Sequence, residues 1–290
     1  LTQPAIVEFE TYNASDADNG NYGGVGLIPS IDCYYSADTT LALFTSTADV
    51  TMDAMAIAVD DDDGDVFCSY LGPEDSGNNV FEGVLEPGTY IIRVGGFAAQ
   101  SRYILDMFIT PAELPVAGDL AINEYMADDG AADTNCDGVA GTGADTDDEF
   151  IELVNTSNAY LNINGVRIHD ANTLRHTFAA GPTGFVGLLP GESVVVWGGG
   201  APACEFVNNF FESSQNSLAL NNSGDSIIIL PAGVGTTPIV QTSFSGAQAV
   251  TGVSNNLSPD ITGTVYVRHN LVPNAVGNFS PGFLSDQSFF

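Results

Sequence analysis

Asp148-Glu149-Phe150-Ile151-Glu152-Leu153-Val154-Asn155 opens on acids, closes on an asparagine and alternates its side chains in between. A short run of aromatic and β-branched residues between turn formers reads as a strand. The same period of two returns at Ile6 to Glu10, Tyr90 to Val94, Tyr103 to Ile109, Ser193 to Trp197, Ser226 to Leu230 and Thr264 to Arg268. No stretch holds a 3.6-residue period with caps for three turns, so the chain is expected to be all-β. Pro111-Ala112-Glu113-Leu114-Pro115-Val116-Ala117-Gly118 breaks the pattern with two prolines. It reads as a short stiff linker, 111–118, between two consecutive β-sandwich domains at 1–110 and 119–290.

Composition narrows the function classes. The 290 residues carry 37 acids against five cations, a formal charge of −32, and contain no lysine. Nucleic acid is excluded as a partner because releasing counterions from phosphates needs clustered Lys and Arg. An anionic membrane surface would repel the chain, and no apolar run reaches the length of a membrane span, so no direct membrane insertion is expected. Absence of lysine also removes a P-loop lysine, a Schiff base and a lysine-to-asparagine isopeptide staple. The acids divide into 25 Asp and 12 Glu. Asp favours turns and oxygen-ligand loops over helices, which suggests calcium before any motif is read.

Cys33, Cys68, Cys136 and Cys204 allow three pairings. Two fall in each half, so Cys33 with Cys68 and Cys136 with Cys204 would staple one half each, as suits a secreted protein. A first residue of Leu rather than Met agrees with removal of a secretion signal.

Asp133-Thr134-Asn135-Cys136-Asp137-Gly138 places oxygen donors at alternate positions and glycine sixth, the opening of an EF-hand-like loop. The Val139 carbonyl would follow as a ligand. Position twelve is Ala144 rather than a bidentate glutamate, and no helices flank the loop, so it is not an EF-hand. Asp145, Asp147, Asp148 and Glu149 could complete six to eight oxygens. The readings open here are a calcium site and a solvated acidic loop. Two weaker candidates are Asp16, Asp18 and Asn21, equally an Asx-rich loop, and Asp60 with Asp62, where Asp63-Gly64 is also a hairpin turn signal.

Catalytic patterns are thin. His169, His176 and His269 show no zinc-binding HExxH or HxxEH spacing, and no GxSxG elbow occurs. His169 and His176 read as surface or turn residues, and Trp197, the only tryptophan, reads as core. Asn13, Asn155, Asn221, Asn256 and Asn278 each begin an Asn-x-Ser sequon, which chance explains in an Asn- and Ser-rich chain. Phe283, Leu284, Phe289 and Phe290 are large apolar residues near a chain end, where exposed apolar groups and free β-edges can join subunits.

Two family resemblances follow. Leu85-Glu86-Pro87-Gly88-Thr89-Tyr90 running on to Arg93-Val94, then Tyr103-Ile104-Leu105, resembles the bacterial pre-peptidase C-terminal domain over about 5–110. That likeness implies a jelly-roll-like, secreted, non-catalytic module. Ala121-Ile122-Asn123-Glu124-Tyr125-Met126, the stretch Asp148 to Asn155, Leu161 to Asp170, Leu189-Pro190-Gly191, Leu218 to Ile227 and Ser280-Pro281-Gly282 resemble, in order, the lamin tail domain over about 118–284. That likeness implies an immunoglobulin-like sandwich found in secreted and cell-surface proteins, and it supports calcium at the acidic insertion.

The expectation is therefore a secreted, non-enzymatic structural protein, extracellular or at the cell surface. It would be a subunit that pairs with itself into a filament, sheath or surface layer, with calcium as cofactor. The alternative is a binding or adhesion module that takes a polysaccharide or a cell-surface component.

Overall fold

The computed structural model describes residues 1–13, 39–61, 68–73, 81, 83–96, 103–140, 146–171, 173–181, 185–205, 209–215 and 217–290. Among these the only helical segments are two single 3-10 turns, Asp53–Met55 and His269–Leu271. The fold is all-β, and no helix is long and apolar enough to cross a membrane. The chain divides into two compact units, Leu1–Ala112 and Glu113–Phe290.

The first unit contains β1 (Ala5–Asn13), β2 (Thr39–Thr45), β3 (Ala58–Asp60), β4 (Tyr70–Leu71), β5 (Val84–Leu85), β6 (Tyr90–Gly96) and β7 (Tyr103–Pro111). In one sheet β1 pairs with β4, β5 and β7; the other runs β3-β2-β6. Alternation in β1 sends Ala5, Val7 and Phe9 into a core with Leu41, Leu43, Ala58, Leu71, Phe81 and Leu85. The expected linker is shared between the two units. Pro111 ends β7, the Ala112 amide donates to Pro4 O (2.9 Å), and the Glu113 amide donates to Tyr160 O (2.8 Å).

The second unit contains β8 (Leu120–Met126), β9 (Phe150–Asn155), β10 (Leu161–Asn162), β11 (Arg167–His169), β12 (Leu174–Thr177), β13 (Gly187–Leu188), β14 (Ser193–Trp197), β15 (Phe210–Glu212), β16 (Gly224–Leu230), β17 (Val240–Ser245), β18 (Asn255–Ser258) and β19 (Val265–Arg268). One sheet runs β15-β14-β9-β8-β18-β19 and the other β12-β11-β16-β17, with β10 paired to β13. Ile122, Tyr125, Ile151, Leu153, Val194 and Val196 pack into a core with Ile168, Phe178, Ile227 and Ile229 of the second sheet.

The opposite face of the six-stranded sheet is covered too. Met126, Phe150, Val195 and Trp197 form a smaller apolar cluster with Cys204 and Phe210, and Cys136 and Phe279 pack on it. Every residue of β9 is buried, so its alternation separates two covered faces rather than core from solvent. A bulge in β8 sets which residues go where. Asn123 is the extra residue, so Ile122 opposes Leu153, Glu124 opposes Glu152 and Tyr125 opposes Ile151.

Tyr125 stacks on Phe244 with ring centroids 5.1 Å apart, yet its buried hydroxyl has no hydrogen-bond partner. A buried hydroxyl without a partner costs about 1–3 kcal/mol. Tyr125→Phe is therefore expected to leave the thermal midpoint unchanged or raise it, whereas Phe150→Ala should cost about 3–5 kcal/mol in denaturant unfolding.

Candidate functional site

The acidic loop lies on the outer face of the six-stranded sheet, where Cys136 and Cys204 form a disulfide. Cys68 is disulfide-bonded as well, and Cys33 lies outside the described residues. Trp197 is fully buried and donates from Nε1 to Thr134 Oγ1 (3.2 Å), which donates onward to Asp148 O (2.6 Å). Asp148 Oδ1 accepts the Thr134 amide (2.7 Å) and the Asn135 amide (3.1 Å), tying the loop to the start of β9. Asn135 Oδ1 accepts from the Asp137 amide (3.0 Å), Asp137 Oδ1 from the Val139 amide (2.7 Å), and Asp133 Oδ2 from the Gly138 amide (3.2 Å). Cys136 and Gly138 take the left-handed backbone that these turns need, φ 59° and 83°.

Asp133 and Asp137 lie near enough to Asp148 for their charges to act on it. Burial raises the Asp148 pKa; the two amide bonds oppose that shift, and the charges of Asp133 and Asp137 add to it. Asp133 Oδ1 is buried without a hydrogen bond. Glu149 points elsewhere: its Oε2 accepts the Leu220 amide (3.0 Å), and burial pushes its pKa up to about 9. Asp129, Arg175 and Asp225 are its charged neighbours. Asp147 contributes its carbonyl to the Gly199 amide (3.1 Å), and Val139 is exposed. Asp145, Asp16, Asp18, Asn21 and Asp62 lie outside the described residues. Asp60, the last residue of β3, is buried and accepts the Tyr70 amide (2.8 Å) on Oδ2. Among the described residues no group of three or more His, Cys, Asp or Glu side chains is gathered to hold a metal.

A second polar cluster lies on the same outer face. Glu124 and Glu152 face each other across β8 and β9, both fully buried. Glu124 Oε1 accepts from Ser254 Oγ and from the Ser280 amide (3.0 Å), and its Oε2 from Ser280 Oγ (2.7 Å). Glu152 accepts Asn123 Nδ2 (2.9 Å) on Oε1 and the Gly282 amide (2.6 Å) on Oε2. Asp260 Oδ2 accepts Ser285 N (3.2 Å) and Oγ (2.6 Å). Ser280 and Gly282 thus bind two carboxylates more than a hundred residues upstream, and Ser285 binds a third 25 residues before it.

His269 completes the cluster. Nδ1 lies 2.8 Å from Asn256 Oδ1 and 3.5 Å from Glu124 Oε1, and Nε2 lies 3.2 Å from Val276 O. Both ring nitrogens face acceptors, which suits an imidazolium. Burial opposes that charge, but Glu124, the Val276 carbonyl and Asp260 together outweigh it and the pKa is raised. Burial, then the Glu124 charge, drive the Glu152 pKa well above the usual carboxylate range.

His176 differs from the surface residue expected. It is buried on β12, edge-on to Phe178 at 4.6 Å, and burial takes its pKa down to about 4. Asn155 and Asn256 are buried, while Asn221 and Asn278 are exposed. Asn155 Nδ2 donates to Ala159 O and Leu188 O, which accounts for that sequon by structure alone. Asp170, Thr173, Arg175, Asn221, Asp225 and Ser226 line a polar groove of about 540 Å³. Arg175 there holds Asp170 Oδ2 through Nε (2.8 Å) and an Nη (2.6 Å).

The family model of the Lamin Tail Domain matches residues 114–244. No support arises for a pre-peptidase C-terminal domain over 5–110. No curated protein and no solved structure matches the chain. Ser280-Pro281-Gly282 lies beyond the matched span, yet it bonds to Glu124 and Glu152 inside it.

Two outcomes follow. Ser280→Ala removes one donor to a buried carboxylate, which should cost about 1–3 kcal/mol and speed proteolysis near the C-terminus. For pH, Glu149, Glu152 and His269 all have raised folded pKa values, so the stability they contribute is full below their ordinary values and fades as pH rises through the folded ones. His176 acts in the other direction: its contribution is lost as pH falls from 6.5 through about 4. The thermal midpoint should therefore fall above pH ~6.5, and Glu152→Gln should remove part of that slope; an unchanged slope would contradict the assignment.

Proposed function

We propose that this is a secreted, non-enzymatic structural protein whose copies assemble into an extracellular filament, sheath or surface layer, with calcium stiffening the acidic loop. The observation that carries this reading is how three acids of the second unit are used, Glu124 and Glu152 buried and Asp260 half-buried. Glu124, Glu152 and Asp260 accept hydrogen bonds from the chain's own closing segment, and that serves rigidity rather than turnover. Disulfides support an oxidising compartment. With no lysine and five arginines, the chain offers trypsin-like proteases few cleavage sites, which suits an exposed polymer.

Calcium is supported by the charges of Asp133 and Asp137 acting on Asp148 and by the buried Asp133 oxygen that accepts no bond. Hard divalent cations take such oxygen donors and would offset the mutual repulsion. The first unit, over about 5–110, serves in this reading as a non-catalytic module like the pre-peptidase C-terminal domain. Its likeness rests on Pro87-Gly88-Thr89-Tyr90 and Tyr103-Ile104-Leu105.

The groove beside Arg175 favours a second reading, a binding or adhesion module for a polysaccharide or a cell-surface component. Its lining of two carboxylates, one guanidinium, hydroxyls and amides suits a neutral polyol better than an anion. Negative-stain microscopy of the purified chain, with calcium and then with a chelator, separates these readings. Ordered polymers in calcium that loosen on chelation are expected; single particles throughout, with retention on a polysaccharide column, would favour the module.

A further inference from the structure

Among the described residues, the first unit leaves one long strand edge unpaired. Val7 and Thr11 of β1 donate their amides away from β7, to Gly83 O (2.7 Å) and Ser69 O (3.0 Å). The even-numbered residues of β1 therefore point at β7, where they oppose Ile104, Asp106, Phe108 and Thr110. The Ala112 amide, which donates to Pro4 O, keeps the same parity. It follows that Tyr103, Leu105, Met107 and Ile109 turn their N–H and C=O groups outward, and no described strand other than β1 pairs with β7.

This edge lacks the usual guards. Exposed edges are normally kept short, charged, bulged or interrupted by proline. β3, β4 and β5 have two or three residues, and β6 carries Arg93 and ends in Gly95-Gly96. β7 runs nine residues with proline only at its last position and Asp106 as its one charge. Met107 is 57%, Ile109 44%, Tyr103 43% and Phe108 42% exposed. Leu105 packs on the core from the same side as Met107 and Ile109, so an apolar strip continues outward from the core with Met107 and Ile109 exposed.

We propose that β7 is the subunit contact of this chain, pairing antiparallel with β7 of a second copy about a two-fold axis at Met107; the proposal rests on the assembly reading above. The register follows from the strand itself. A two-fold pairing must match outward-facing, odd-numbered residues with each other. Centring on Asp106 would set the two Asp106 carboxylates directly opposite, which is unfavourable. Centring on Met107 sets Leu105 against Ile109, Met107 against its twin and Asp106 against Phe108. That register uses every outward amide of the strand, with Tyr103 reaching the carbonyl of Pro111, the one residue without an amide to offer. A charged or basic partner would find no counter-charge along this edge apart from Asp106, whereas a second copy complements it throughout.

The test uses the full chain. Met107→Pro deletes an outward amide and leaves every bond from β7 to β1 intact, so the first unit stays folded by circular dichroism. Sedimentation should show association weakened about tenfold or more. Met107→Cys places the twin positions about 5.5 Å apart between Cα atoms, within disulfide reach. Thr110→Cys places its twins roughly 20 Å apart along the strands, out of reach. A covalent dimer on a non-reducing gel is expected for Met107→Cys alone. Wild-type chain that assembles, with Met107→Pro assembling equally and Met107→Cys linking no better than Thr110→Cys, would overturn the β7 contact and spare the assembly reading. Wild-type chain that stays monomeric at all concentrations would overturn both.

Discussion

Two glutamates at facing positions in the middle of a sheet are the constraint around which the second unit is organised. Glu124 and Glu152 have no exposed surface and, among the described residues, no ion pair with an arginine. Burying one unpaired carboxylate costs several kcal/mol, and burying two side by side costs more. The donors come from Asn123 and Ser254, and above all from the amides and hydroxyl of Ser280 and Gly282. His269 lies 3.5 Å from Glu124 Oε1 and, when protonated, supplies the nearby positive charge. The sheet between β8 and β9 is therefore completed only when residues more than a hundred positions later return to cover it.

The same outer face carries the disulfide-stapled acidic loop, and the two regions share a design. In each, carboxylates accept backbone amides from segments without regular structure and so hold loops against a sheet. Asp148 does for the loop at Thr134 and Asn135 what Glu124 does for Ser280. Acid in this protein is thus partly internal scaffolding rather than only surface charge. That distinction changes the meaning of a net charge of −32, since several of the acids counted there sit where solvent does not reach.

The strands themselves were legible from period-two alternation, as at Ser193–Trp197, where sequence and structure agree at both ends. Val194 and Val196 meet one core, Val195 and Trp197 the other. The burial of Glu152 was not legible, because alternation tells one face of a strand from the other but not whether the second face is covered. The one-residue bulge at Asn123, which puts Glu124 opposite Glu152, leaves no mark in the local pattern. Ile122-Asn123-Glu124, the run through Glu152 and Ser280-Pro281-Gly282 were each visible as motifs; their meeting in space is a long-range fact. Glu149, just ahead of β9, gives its carboxylate to the Leu220 amide, while Asp148 gives its own to Thr134 and Asn135. His176 was misplaced because its partners, Phe178 and Phe211, declare an aromatic pocket only after folding.

The central claim, that the buried glutamate pair holds the closing segment as part of the core, is tested most directly by native-state hydrogen exchange at the Ser280 and Gly282 amides. The account predicts protection comparable to that of Ile151 and Leu153 in β9, with exchange only on unfolding of the whole unit. Exchange at the rate of an open loop while β9 stays protected would contradict it.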